Sequence, residues 1–172
     1  GAEARGTLTP RRVGTTSQWL ASNCLVPNAA DFGMLEMNDR AGKKIGAITG
    51  TLGFRTLSLL PNHTTKLGYP CNIDACQKMQ QVTSQSFRAT SPNNVEYGSN
   101  ARGGWSGGPW VMNYGIQGKG GLTSNLNAVV GVSSYGYTAT APKVQGSSIP
   151  DSRAGGFIPL LNTMCAARAG NC

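Results

Sequence analysis

Ser106 lies in the run Arg102-Gly103-Gly104-Trp105-Ser106-Gly107-Gly108-Pro109-Trp110, a hydroxyl set among four glycines and bounded by a proline. Glycine lets backbone amides approach a reacting atom with no Cβ in the way. It also adopts the positive φ values that gather N–H groups into an anion-binding nest. A nest beside a hydroxyl is the minimum equipment for acyl transfer, with Ser106 as nucleophile and the amides of Gly104 and Ser106 as oxyanion hole. A glycine-rich surface hairpin would carry the same letters without the chemistry.

The wider sequence distinguishes the two. Gly103-Gly104-Trp105-Ser106-Gly107-Gly108-Pro109 resembles the nucleophile motif of chymotrypsin-like serine proteases, Gly-x-Ser-Gly-Gly-Pro. Downstream, Val129-Val130-Gly131-Val132-Ser133-Ser134-Tyr135-Gly136 is similar to the family's substrate-binding strand, and Gly155-Gly156-Phe157-Ile158 resembles its last barrel strand. Upstream, Ala30-Asp31-Phe32-Gly33-Met34-Leu35-Glu36-Met37 resembles the segment bearing the triad aspartate. The short interval from Asp31 to Ser106 and the strand Leu67-Gly68-Tyr69-Pro70 between them suit the bacterial glutamyl-endopeptidase-like branch.

The resemblance implies an all-β double barrel. Residues 1–40 would supply remaining strands of an incomplete first barrel, 41–64 the connection, 65–158 the complete second barrel and 159–172 a short closing helix and tail. Composition agrees, since 24 glycines and few charges suit short strands joined by tight turns. Residues 1–28 have room for two strands before Asp31, and residues 138–153 read as a loop. At the C-terminus, Ile158, Leu161, Met164 and Cys165 recur at helical spacing behind Pro159.

By the family's spacing the substrate pocket has Asn100 and Ala101 at its base and Ser134, Tyr135, Gly136 and Gly156 in its walls. Neither base residue is acidic, which gives no support for cleavage after Arg or Lys. Ser133 stands where glutamyl endopeptidases place a histidine. A neutral polar or medium apolar substrate side chain is what remains.

The formal charge of +8 is dispersed, with Arg11-Arg12 and Lys43-Lys44 the nearest approach to clusters and no aromatic interleaving around them, so nucleic acid is not an expected partner. No apolar run is long enough to span a membrane, and Gly1-Ala2-Glu3-Ala4-Arg5 reads as a processed or cut end rather than a signal peptide. The five cysteines lack metal-site spacing, and no metal or other cofactor is expected. In a secreted or otherwise extracytoplasmic protein they read as disulfides, most simply Cys71 with Cys76 and Cys165 with Cys172, which leaves Cys24 free or bonded to another chain.

A serine hydroxyl at neutral pH needs a base within hydrogen-bond reach. The one histidine, His63, falls between the barrels, and although Asp31, His63 and Ser106 match the triad order of an unrelated protease fold, the resemblance places the histidine before the aspartate. The expectation is therefore a serine endopeptidase acting on protein or peptide, in which Asp31 orients a histidine carried by a preceding segment or an N-terminal companion chain. The contrasting expectation is a catalytically inactive, protease-like binding or structural module.

Overall fold

The computed structural model describes residues 6–25, 28–115, 127–139 and 141–172. Strand β1 (Pro10–Thr15) leads into a one-turn helix, α1 (Ser17–Ala21), and pairs antiparallel with β2 (Gly33–Met37) in a sheet of two. The stretch before Asp31 thus holds one described strand and a helix where the sequence reading allowed two strands. Thr16 starts the helix by accepting from the Trp19 amide, an N-cap that overrides the extended pattern.

A helical turn, α2 (Ile45–Thr49), and a two-residue strand, β3 (Gly53–Phe54), cross to the larger sheet. Its other strands are β4 (His63–Gly68), β5 (Gln80–Thr90), β6 (Asn94–Gly98), β7 (Pro109–Met112), β8 (Ala128–Val132), β9 (Tyr135–Gly136) and β10 (Val144–Ser148). They hydrogen-bond in the order β3-β8-β7-β4-β5-β6-β10-β9. The sheet curls until β10 meets the β8 side, where the Ser134 amide donates to the Gly146 carbonyl (2.9 Å) and the Val132 amide to Ser147 Oγ (3.0 Å). Six strands, β4 to β8 and β10, therefore close a barrel. It is filled by Leu59, Val95, Tyr97, Trp110, Met112, Ala128 and Val130.

Two sequence readings are corrected. The last barrel strand is Val144–Ser148, inside the span read as a loop; it lacks apolar alternation because Ser147 and Ser148 are buried through their hydroxyls. Gly155-Gly156-Phe157-Ile158 instead opens helix α3 (Phe157–Ala166), with Gly156 as its N-cap, so the closing helix begins before residue 159. The helix buries Leu160 and Met164 against Ala30 and Phe32. Both local disulfides, Cys71 with Cys76 and Cys165 with Cys172, are present, and Cys24 is free and exposed. Residues 116–126, a polar and glycine-rich stretch of the sequence, lie outside the described residues.

The barrel interior also holds Lys66, fully buried with its ammonium 5.2 Å from the Tyr97 ring centroid and 5.3 Å from that of Trp110. Among the described residues its ammonium donates to Ser84 Oγ at 2.6 Å. Desolvation lowers its pKa from 10.5 to about 8. A lowered lysine pKa penalises the folded state fully below pH 8, and the penalty lifts as pH rises toward the unfolded value. Tyr97 and Tyr135, whose ionisation burial disfavours, act in the opposite sense above about pH 10. Stability should therefore rise by about 2 kcal/mol between pH 8 and pH 10. Urea unfolding of a Lys66→Met variant should show that rise abolished.

Candidate active site

Ser106 sits exposed on the turn between β6 and β7, and its setting follows from what the neighbouring side chains cannot be. Trp105 is buried with its ring against Gly68 of β4, where an added Cβ would stand 2.7 Å from the indole. Gly108 fits because a Cβ there would meet the Leu67 carbonyl oxygen at 2.1 Å. Gly104 has φ +94 and backs onto the Cys71–Cys76 loop, its Cβ position lying 2.6 Å from Cys71 Sγ and from the Tyr69 carbonyl oxygen. Only glycine satisfies both constraints at 104.

The Cys71–Cys76 loop acts as a splint. The Cys71 amide donates to the Gly103 carbonyl (2.8 Å), and Asn72 Oδ1 accepts from the Arg102 amide (2.8 Å) while its Nδ2 donates to the Asn100 carbonyl (3.0 Å). Beyond Ser106, the Gly107 amide donates to the Ser133 carbonyl (2.8 Å) and the Gly108 amide to that of Trp105 (3.0 Å). The amides of Gly104 and Ser106 donate to no acceptor among the described residues. They are thus available to an anionic oxygen.

Asp31 is held at the junction of the two halves. Its neighbours Ala30 and Phe32 are buried against α3. Thr16 Oγ1 donates to the Ala30 carbonyl (2.5 Å) and Thr15 Oγ1 to that of Phe32 (2.9 Å). From the barrel side, the Asp31 amide donates to Ser148 Oγ (3.2 Å), and Ser134 Oγ donates to Asp31 Oδ2 at 2.5 Å. Ser134 also lines, with Ser106, a cavity of about 420 Å³ whose other walls include Ala101, Trp105, Ser133, Tyr135, Gly136 and Gln145. Ser134 thus bonds the candidate carboxylate and lines the same cavity as the candidate nucleophile.

Of the residues read as pocket-forming, Ala101, Ser134, Tyr135 and Gly136 line this cavity. Asn100 is instead tied back by Asn72, and Gly156 caps α3 away from the lining. His63 opens β4 rather than lying in a loop, paired with Gln85. Five residues of strand, roughly 17 Å, separate it from Gly68 beneath Trp105. Asn62, just before it, uses Oδ1 to accept from the His63 amide (2.7 Å) and Nδ2 to donate to the Ser58 carbonyl.

Sequence reasoning missed the braces of the cavity wall. Glu96 is wholly buried in β6 and accepts through Oε1 from Tyr135 (3.1 Å) and Tyr137 (2.6 Å), while its Oε2 takes the Arg88 guanidinium at 2.7 Å. Burial foremost drives the Tyr135 pKa up to about 12, and the bond to Glu96 raises that of Tyr137. On the other side Arg102 donates to the carbonyls of Tyr137 and Ala139. Isolated polar residues such as these carry no periodic signal.

No family model and no curated protein matches the chain. Solved structures do. Protease Anisep from Arthrobacter nicotinovorans superposes with a TM-score of 0.72 at 22% identity, over 96% of this chain and 70% of its own. A thermostable serine protease, AL20, from an extremophilic microorganism gives 0.67 at 18%, over 87% and 64%. A Glu endopeptidase gives 0.65 at 17%, over 95% and 66%. The chain has the fold of the chymotrypsin-like serine proteases and spans about two thirds of the length of these neighbours.

Removing Glu96 leaves two tyrosine hydroxyls and a guanidinium without their shared acceptor. Glu96→Ala should cost about 2 kcal/mol. Thermal unfolding should register that loss, and hydrogen exchange should accelerate at residues 135–138.

Proposed function

We propose that the chain is the nucleophile-bearing part of a serine endopeptidase that cleaves proteins or peptides through an acyl-enzyme at Ser106. The observation that carries this reading is the shared site: Ser106 and Ser134 line one cavity, and Ser134 Oγ is bonded to Asp31. In the reaction, Ser106 Oγ attacks the substrate carbonyl as a histidine takes its proton. The amides of Gly104 and Ser106 hold the oxyanion, and Asp31 keeps the imidazole in the required tautomer and stabilises its cation. The imidazolium then protonates the leaving amine, and water releases the acyl group by the same steps in reverse order.

The histidine is assigned to a preceding segment or companion chain outside these 172 residues. Supporting this, the β1–β2 sheet packs one face on α3, with Gly14 against Leu160 and Met164, and no described residue covers the other. There Val13 and Leu35, paired across the strands, are 68% and 60% exposed. An apolar face of that kind is what the inner side of an unfinished barrel presents, and added strands would cover it. The two disulfides favour an oxidising, extracytoplasmic location.

The position of His63 at the far end of β4 favours a second reading, an inactive protease-like binding module. Hydrolysis of peptide substrates by the full-length protein separates the two. Ser106→Ala should abolish acyl-enzyme turnover, and Asp31→Asn should lower kcat by about 10⁴. Turnover unaffected by Ser106→Ala would remove the nucleophile assignment, and absence of turnover in the intact wild-type protein would favour the binding module.

A further inference from the structure

Strand β10 places Gln145 opposite Gly136 in register, across the wall of the cavity beside Ser106. Gly136 has no side chain to occupy the space between them, and the Gln145 Cγ lies 3.9 Å from where a Cβ at 136 would stand. Gln145 is only 4% exposed, and its Oε1 is buried with no hydrogen-bond partner. Leaving such an acceptor unpaired costs stability, which a bound group with a donor would recover. Trp105, in the same lining, has a buried Nε1–H that is likewise unpartnered.

Two residues that line one cavity thus carry an unpaired acceptor and an unpaired donor. Resting on the reading of Ser106 as nucleophile, we infer that this cavity takes a carboxamide side chain, glutamine or asparagine, on the residue whose carbonyl is attacked, with Gln145 as its specificity-determining partner. A carboxamide has both a donor and an acceptor to offer. A carboxylate has acceptors only, an ammonium donors only, and an aliphatic chain neither.

The remaining lining agrees. Ser133 Oγ accepts from Trp110 Nε1 (2.9 Å), which leaves its own hydroxyl proton free to donate to a substrate carbonyl. Among the described residues no carboxylate lines the cavity, and its ionic member is Arg102, so a cationic side chain would meet a like charge and no counter-ion there. The same guanidinium is engaged by the carbonyls of Tyr137 and Ala139 rather than presented to a substrate carboxylate.

The test uses the full-length protein and two sets of probes. The first set is acetyl-Ala-Ala-Pro-X peptides with a free C-terminal carboxylate, X being Gln, Asn, Glu, Lys or Leu, whose binding needs no catalysis. The second is the matching aminomethylcoumarin amides, scored by kcat/KM. The Gln and Asn probes should lead the others by about tenfold in both sets. Gln145→Leu should erase that lead, and Gln145→Glu should transfer it to Lys. Carboxamide-selective binding without cleavage would uphold the cavity assignment while removing the protease reading. A preference for Glu, Lys or Leu, or an unchanged ranking in Gln145→Leu, would overturn the inference.

Discussion

The hydrogen bond from Ser134 Oγ to Asp31 Oδ2 is the constraint on which the site depends. It ties the segment that follows α1 to the barrel that carries Ser106, and no covalent link duplicates it. A half-buried carboxylate at such a junction needs a donor for its oxygens, and it needs fixed neighbours to remain in place. Both requirements are met locally. Ser134 supplies the donor, while the buried side chains of Ala30 and Phe32 and the hydroxyls of Thr15, Thr16 and Ser148 clamp the backbone on either side.

The cavity wall has to be held in another way. Strand β9 is two residues long, too short for a ladder to immobilise the chain beyond it. Side chains substitute for the ladder: the two tyrosine hydroxyls reach inward to Glu96, and Arg102 grips the carbonyls that follow. Gly146 completes the arrangement, since a Cβ there would stand 2.1 Å from the Tyr135 ring. The turn that carries Ser106 is braced on the same plan by Trp105 beneath it and by the Cys71–Cys76 loop with Asn72 beside it.

What was legible in the sequence was what local chemistry dictates. The glycines around Ser106 announce a turn that needs positive φ, the valines of β8 announce a buried strand, and five and seven residues of separation favour the two disulfides observed. What was not legible depends on tertiary neighbours. Strand β10 reads as a loop because Gln145, Ser147 and Ser148 are polar, and nothing local reveals that barrel closure buries them. Gly155-Gly156 matches a strand motif in letters, yet the Asp151 carbonyl and the apolar surface at Phe32 draw the chain into α3 instead. Lys66, Glu96, Asn72 and Gln145 acquire their roles only from what surrounds them, so their spacing carries no sign of it.

The central claim is that Ser106 is activated by a base lying outside these 172 residues. Labelling by a fluorophosphonate that reacts only with activated serines tests it most directly, with intact mass and peptide mapping of two samples, the full-length native protein and the 172-residue chain alone. The account predicts one adduct per molecule at Ser106 in the native protein and none in the isolated chain. An unlabelled native protein, or an isolated chain labelled equally well, would contradict it.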